Sequence, residues 1–147
     1  MTDIELNGFS ELEAVLNAMP DLALDAAEAA MSKALMTLHG RLPDYPPPPM
    51  NSTYRRTETL GRQVTQRVTR DEKSVTGELG TATPYAPWVI GPDHPGEDIR
   101  GKTMYQAKVH RGRWWQFEKV VASAMPEAQE AFNESFFAEF EKRVKGA

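Results

Sequence analysis

Pro43 and the run Pro46-Pro47-Pro48-Pro49 put five of the chain's 11 prolines inside one short stretch. No regular helix passes through it, because each proline lacks the amide donor and has a fixed φ; an extended polyproline conformation is what remains. Residues 41–54 are therefore read as a proline-rich extended loop, chiefly a stiff spacer, although such a run also suits an aromatic groove in a partner. Any helix before the loop must stop at it, and the chain after it must begin a new arrangement.

Ahead of the loop the pattern is helical. In Phe9-Ser10-Glu11-Leu12-Glu13, Ser10 can cap the first amides, Glu13 can complete a capping box, and Phe9 stands where a hydrophobic staple sits. Pro20 predicts a stop near Met19 and a fresh start at Pro20 or Asp21, since proline interrupts a helix but suits its first position. A helical pair is thus expected. In its second member Leu24, Ala27, Met31, Ala34, Leu35 and Leu38 recur at helical spacing, and the alanines leave a thin face for close approach of another helix or a sheet. Gly40 supplies a carboxyl-terminal cap.

Beyond the loop the periodicity changes. Arg62 to Arg70 alternates, with Val64 and Val68 on one side; Ser74 to Thr81 returns with Val75 and Leu79 inward; Asp71-Glu72-Lys73 makes the turn of an antiparallel hairpin. Gly77 and Gly80 predict a bulge or a close backbone approach. Pro84 to Pro92 is short and aromatic, with Tyr85, Trp88, Val89 and Ile90 expected partly buried. Residues 91–104 read as a surface loop, Tyr105 to His110 as a further strand, Arg111-Gly112-Arg113 as a turn, and Trp114 to Val121 as strand or irregular structure. Pro126 is expected to open the last helix, whose Phe132, Phe136, Phe140 and Val144 form a stripe that packs on the sheet. The order predicts an α+β fold: an amino-terminal helical pair, an antiparallel sheet with a hairpin, and a carboxyl-terminal helix packed on the sheet.

The 147 residues suit a single domain spanning 1–147, long enough to bury a core without disulfide or metal; with no cysteine, thiol and zinc-thiolate chemistry are excluded. No apolar run nears the roughly 20 residues of a membrane span, so no membrane partner is expected. The first eight residues carry Asp3 and Glu5 and no basic residue, unlike a secretory signal. Charge is unevenly spread: residues 1–50 hold eight acidic against two basic side chains, 51–120 twelve basic against eight acidic, and 121–147 five acidic against three basic. A basic middle between acidic flanks can steer association between copies of one chain or with a charged partner.

No catalytic constellation is legible, no metal site and no cofactor motif. His39, His94 and His110 show no metal-ligand spacing, and the acidic loop of Asp93, His94, Glu97 and Asp98 lacks the ordered pattern of a calcium loop. Glu58, Glu78 and Glu118 carry nothing that pairs them as acid and base. The distinctive segment is Lys108-Val109-His110-Arg111-Gly112-Arg113-Trp114-Trp115. Basic residues interleaved with aromatics can contact phosphates and stack on bases, a nucleic-acid-binding reading that Arg55, Arg56, Arg62, Arg67 and Arg70 would reinforce. Arginine and tryptophan are equally at home in protein–protein contacts, and the net charge of −4 favours that reading. The candidate interface residues are Arg55, Arg56, Trp88, Arg111, Arg113, Trp114 and Trp115.

Three stretches carry a family resemblance: Thr57-Glu58-Thr59-Leu60-Gly61-Arg62, then Leu79-Gly80-Thr81-Ala82-Thr83-Pro84-Tyr85-Ala86-Pro87-Trp88-Val89, and the opening Leu6-Asn7-Gly8-Phe9-Ser10-Glu11-Leu12. With the element order, the chain resembles the tail-completion, or minor tail (head–tail neck), proteins of long-tailed bacteriophages, a family that includes the lambda minor tail protein Z. It departs from the family at Glu58, where a glycine is usual, and in the longer path from Gly91 to Trp115. The resemblance implies a structural virion protein with no catalytic residue. It implies a homo-oligomeric ring, of about six subunits, at the head-proximal end of the tail, joining tail to head. Implied partners are head-completion or adaptor proteins, tail-terminator or tail-tube proteins, and DNA in the channel. The implied location is the virion's head–tail junction, after assembly in the host cytoplasm.

Overall fold

Ser10 to Gly40 form one helix, α1, not two. The computed structural model describes residues 10–47, 50–51, 60, 63–92, 96–97 and 103–146. Pro20 lies inside α1 on an exposed face. A proline there forfeits one intrahelical bond and bends the axis, but the turns on either side keep their own bonds. The last helix, α3, behaves in the same way. It runs from Phe117 to Gly146 with Pro126 inside it rather than at its start. Pro126 is exposed, whereas Ala124 and Ala128 on either side of it are buried. Packing before and after the proline carries the helix through.

Between the helices stand β1 (Val64–Arg70) and β2 (Val75–Thr81), an antiparallel hairpin in which Val64 faces Thr81 and Val68 faces Gly77. Its turn is held by Asp71, whose carboxylate accepts the amides of Lys73 and Ser74 at 2.7 and 2.8 Å and the Ser74 hydroxyl at 2.7 Å. Those donors hold the Asp71 carboxyl below its ordinary value. A short helix, α2 (Ala86–Ile90), follows. Then β3 (Gly96–Glu97) pairs antiparallel with β4 (Thr103–Met104), so the stretch expected as surface loop contains a small ladder. The α+β class and the hairpin are as expected. The strand expected over Tyr105 to His110 is instead irregular chain leading into turns; of the stretch Trp114 to Val121, expected as strand or irregular structure, 114–116 is irregular and the rest is the first turn of α3.

The alanine spacing explains how the layers meet. Ala26 and Ala30 are fully buried, and Ala34, Leu35 and Leu38 nearly so. Leu35, Leu38, Ala124 and Ala128 form one cluster, joined by Met31, by Val68 and Leu79 from the hairpin, and by Val121 and Phe132 from α3. At Gly77 the hairpin comes so near α1 that a Cβ would stand 2.5 Å from Met31 Sδ; this is the close approach the glycine predicts.

Phe132 reaches the shared cluster, and Phe136 and Phe140 continue it as a parallel stack, with ring centroids 6.0 and 5.7 Å apart. Phe137 lies outside, 67% exposed. Phe132→Ala should destabilise the fold by about 1–3 kcal/mol, less than a fully buried ring would, while Phe137→Ala should stay within about 0.5 kcal/mol. Urea denaturation of the two variants checks the contrast.

Ion pairs set the register of α1 against α3. Arg41 grips Glu127 with two bonds of 2.7 and 2.6 Å. Arg143 lies 3.7 Å from Asp25, which also accepts a hydrogen bond from Arg70 of β1. Asp25 thus links hairpin, α1 and α3. The Arg70 hydrogen bond holds its carboxyl below the ordinary 3.8. The group therefore stabilises the fold in full above that value, and the contribution disappears as the pH falls through the lowered native pKa. In denaturation midpoints, the gap between wild type and Asp25→Asn should be constant above about pH 5 and shrink below about pH 4.

Candidate interaction surface

The aromatic segment folds into a lobe against the start of α3. Thr83 begins it. This buried residue accepts a hydrogen bond from the Thr81 hydroxyl at 2.9 Å and donates its own hydroxyl to Gln63 Oε1 at 3.1 Å. Its carbonyl accepts the Ala86 amide, which starts α2. Ala86 and Ile90 face inward and form a second cluster with Leu60, lined by Tyr45, Val89, Trp114, Trp115 and Phe117.

Gln106 holds the lobe together. It is 1% exposed. Its backbone amide donates to the Pro92 carbonyl at 2.9 Å. Its side-chain Nε2 donates to the carbonyls of Val89 at 2.7 Å and Trp114 at 3.2 Å. Its Oε1 accepts from Gln116 Nε2 at 3.3 Å. The next amide, of Ala107, donates to the Trp88 carbonyl at 2.8 Å. One buried amide thus ties α2, the turn segment and the entrance to α3 together. Nothing in the sequence singles Gln106 out; the alternation of Tyr105, Ala107 and Val109 with Gln106, Lys108 and His110 would place it on the polar face of a strand.

From Ala107 the chain makes tight turns, with the amides of His110, Arg113 and Trp114 donating to carbonyls three or four residues back. Gly112, at φ 75°, takes the left-handed conformation the reversal requires. The turns leave Lys108, Arg111 and Arg113 exposed and bring Trp114 back toward the core. Trp114 meets Tyr45 at a centroid distance of 5.1 Å and His110 edge-on at 6.2 Å. Arg113 Nη2 donates to the Pro47 carbonyl at 3.2 Å, so the start of the proline-rich segment lies against this turn.

The sequence-selected residues therefore separate. Trp114 and Trp115 are half-buried in the apolar cluster, and Arg111 and Arg113 form the rim above it. Trp88 stands apart from the two neighbouring tryptophans, 40% exposed and edge-on to Tyr105 at 6.1 Å. Tyr85, one turn before Trp88, is also exposed. Partial burial was expected for Tyr85, Trp88, Val89 and Ile90; α2 turns Ala86 and Ile90 inward with Val89 packed beside them, and leaves the Tyr85 and Trp88 rings at the surface, about two-fifths exposed. Arg55 and Arg56 lie outside the described residues, as do Glu58, His94 and most of the opening and Thr57–Arg62 stretches. Glu78 pairs across the hairpin with Arg67, Nε to Oε2 2.7 Å. Among the described residues, no group of three or more histidine or acidic side chains is placed to hold a metal, and no helix is long and apolar enough to cross a membrane.

A groove of about 700 Å³ opens between the lobe and α3, lined among others by Arg41, Gln106, Trp115, Lys119, Ser123 and Glu127. It begins where α1 stops, at the Arg41–Glu127 pair. No family model, curated protein or solved structure matches this chain.

Proposed function

We propose that this chain is a structural virion protein, a tail-completion or neck subunit that assembles into a ring at the head-proximal end of a long phage tail and joins tail to head. The observation that carries the reading is the outward display of Tyr85, Trp88 and Tyr105 on a lobe tied down by Gln106, with Lys108, Arg111 and Arg113 exposed on the turns that follow in the chain. Large rings held in place lose little freedom on binding, and aromatic and arginine side chains are the usual anchors of protein contacts. The resemblance of the Leu79–Val89 stretch supplies the class of partner: further copies of the chain, head-completion or adaptor proteins, and tail-terminator or tail-tube proteins. On this reading the protein turns over no substrate, binds no cofactor, and resides at the head–tail junction of the virion.

The rival nucleic-acid reading asks Trp114 and Trp115 to stack on bases, yet both rings contribute to the apolar cluster and are half-buried. Deleting the gene in its parent phage should leave filled heads and finished tails unjoined in electron micrographs. A Trp88→Ala, Tyr105→Ala double variant should fail to restore joining while keeping its melting temperature. Normal joined particles without the gene would overturn the proposal. Duplex-DNA binding by the purified chain should be weak. Tight binding that falls steeply with salt and is lost in Arg111→Ala, Arg113→Ala would favour the rival, because phosphate contacts carry that salt signature.

A further inference from the structure

The hairpin is a sheet of two strands, so each strand has one bonded edge and one bare edge. β1 pairs with β2 in an unbroken register from Val64 with Thr81 to Arg70 with Val75, and among the described residues no third strand is hydrogen-bonded to either. Just beyond the last pair the Asp71 amide donates to the Ser74 carbonyl at 3.0 Å. That bond fixes the phase of the ladder, because bonded and non-bonded residue pairs alternate along an antiparallel pair. Arg67 with Glu78, and the pairs two residues to either side, are bonded. The even-numbered residues of β1, Val64 to Arg70, and the odd-numbered residues of β2, Val75 to Thr81, therefore turn their N–H and C=O groups outward. Each edge is a row of main-chain donors and acceptors about 20 Å long. Edges are commonly blunted by proline, lysine or a bulge, and neither strand contains any of these.

What such an edge accepts is another strand, and charge selects which one. α1 covers one face of the hairpin; on the other, exposed face Arg67 stands at the midpoint of β1 and Glu78 at the midpoint of β2. At full overlap, β1 set antiparallel against a second β1 brings two Arg67 side chains together, and β2 against a second β2 brings two Glu78 side chains together. Like charges facing across strands are destabilising. β2 of one copy against β1 of another brings Glu78 to Arg67 instead. The pair inside the subunit leaves room for this: both Arg67 bonds end on Glu78 Oε2, so Glu78 Oε1 and Arg67 Nη1 are left over. The register is also in place. The pairing seen inside the hairpin recurs between copies with bonded and non-bonded pairs exchanged, so each side chain meets across the contact the neighbour it meets within the subunit, Thr69 against Thr76 among them.

We infer that β2 of one copy pairs antiparallel with β1 of a second copy, Glu78 facing Arg67, so that the hairpins of neighbouring subunits join into one sheet. Two different edges meet, which makes the contact head-to-tail, the kind a ring is built from. This rests on the ring-forming reading and adds to it the two surfaces that meet.

The chain has no cysteine, which makes placed thiols clean reporters. Thr69→Cys on β1 and Thr76→Cys on β2 are both exposed positions. Mixed under mild oxidation, the two variants should form a disulfide-linked species of twice the chain mass, while neither does so alone. The amides of Gln66 and Leu79, which face outward from the isolated hairpin, should exchange with deuterium at least about tenfold more slowly once the protein assembles. Arg67→Glu should weaken self-association by about tenfold, as should Glu78→Arg, and mixing the two reversed chains should restore it. Each reversed chain also loses its internal ion pair, but that loss alone would not be repaired by mixing. A disulfide formed as readily by one variant alone shows like edges meeting and overturns the inference. So does the lack of both mixed disulfide and amide protection, across a concentration series and on purified particles, even where gene deletion still leaves heads and tails unjoined. A mixed disulfide with normal joining after gene deletion keeps the edge contact and removes the neck reading instead.

Discussion

Replacing Gln106 by leucine should destabilise the protein by roughly 3 kcal/mol, although the side chain is neither large nor apolar. Leucine fills similar space, so little of the loss comes from packing. It comes from hydrogen bonding: the Val89 and Trp114 carbonyls lose a donor and Gln116 loses an acceptor, at about 1–3 kcal/mol for each buried group left unmet. The loss should be local before it is global. Amide exchange should speed up first at Ala107, whose N–H is bonded to the Trp88 carbonyl, and tryptophan fluorescence should shift to longer wavelength as Trp114 and Trp115 meet water. The same change should impair head–tail joining on the proposed function, because the lobe displaying Trp88 and Tyr105 would no longer hold one shape. Unchanged stability and exchange would show that Gln106 does not hold the lobe.

Leu35→Ala should have an effect of comparable size for the opposite chemical reason. Leu35 is 4% exposed in the cluster shared by α1, the hairpin and α3. Its Cδ1 lies 3.2 Å from the position a Cβ on Gly77 would occupy, so the hairpin leans on this side chain. Truncation removes the transferred methyl groups and leaves a cavity that three rigid elements cannot collapse to fill, a loss of about 2–5 kcal/mol. Met36→Ala, at the next residue of the same helix but 59% exposed, should fall within about 0.5 kcal/mol of wild type. Denaturant midpoints with unchanged m-values test the pair; equal losses at both positions would show that α1 does not present the face described.

The contrast between these two residues shows what was legible beforehand. Leu35 stands out in the sequence because it belongs to a helical repeat with Met31, Leu38 and the alanines, and local periodicity reports which face is buried. The hairpin was legible for the same reason: alternation in Val64–Arg70 and Val75–Thr81 is a local property, and Asp71 and Ser74 build its turn from side chains already adjacent. Gly77 announced a close approach, though not that Met31 was the neighbour. Gln106 carries no such mark, since a polar residue becomes essential only when Val89, Trp114 and Gln116, each distant in sequence, converge on it.

Prolines show the same division. Pro20 and Pro126 read as helix boundaries because local chemistry disfavours continuing through them. In the folded chain each sits on an exposed face within a helix that continues on both sides, the cost of the lost bond and ring clash, about 3 kcal/mol, being offset by the packing of the rest of the helix. Sequence alone determined the α+β class, the proline interruption, the hairpin and the buried face of α1, all consequences of interactions within a few residues. Tertiary structure decided the stagger of α1 against α3, the burial of Trp114 and Trp115 against the exposure of Trp88, and the groove at the end of α1. Each of these depends on ion pairs and contacts, such as Arg41 with Glu127, between residues far apart along the chain, and no local pattern encodes such pairings.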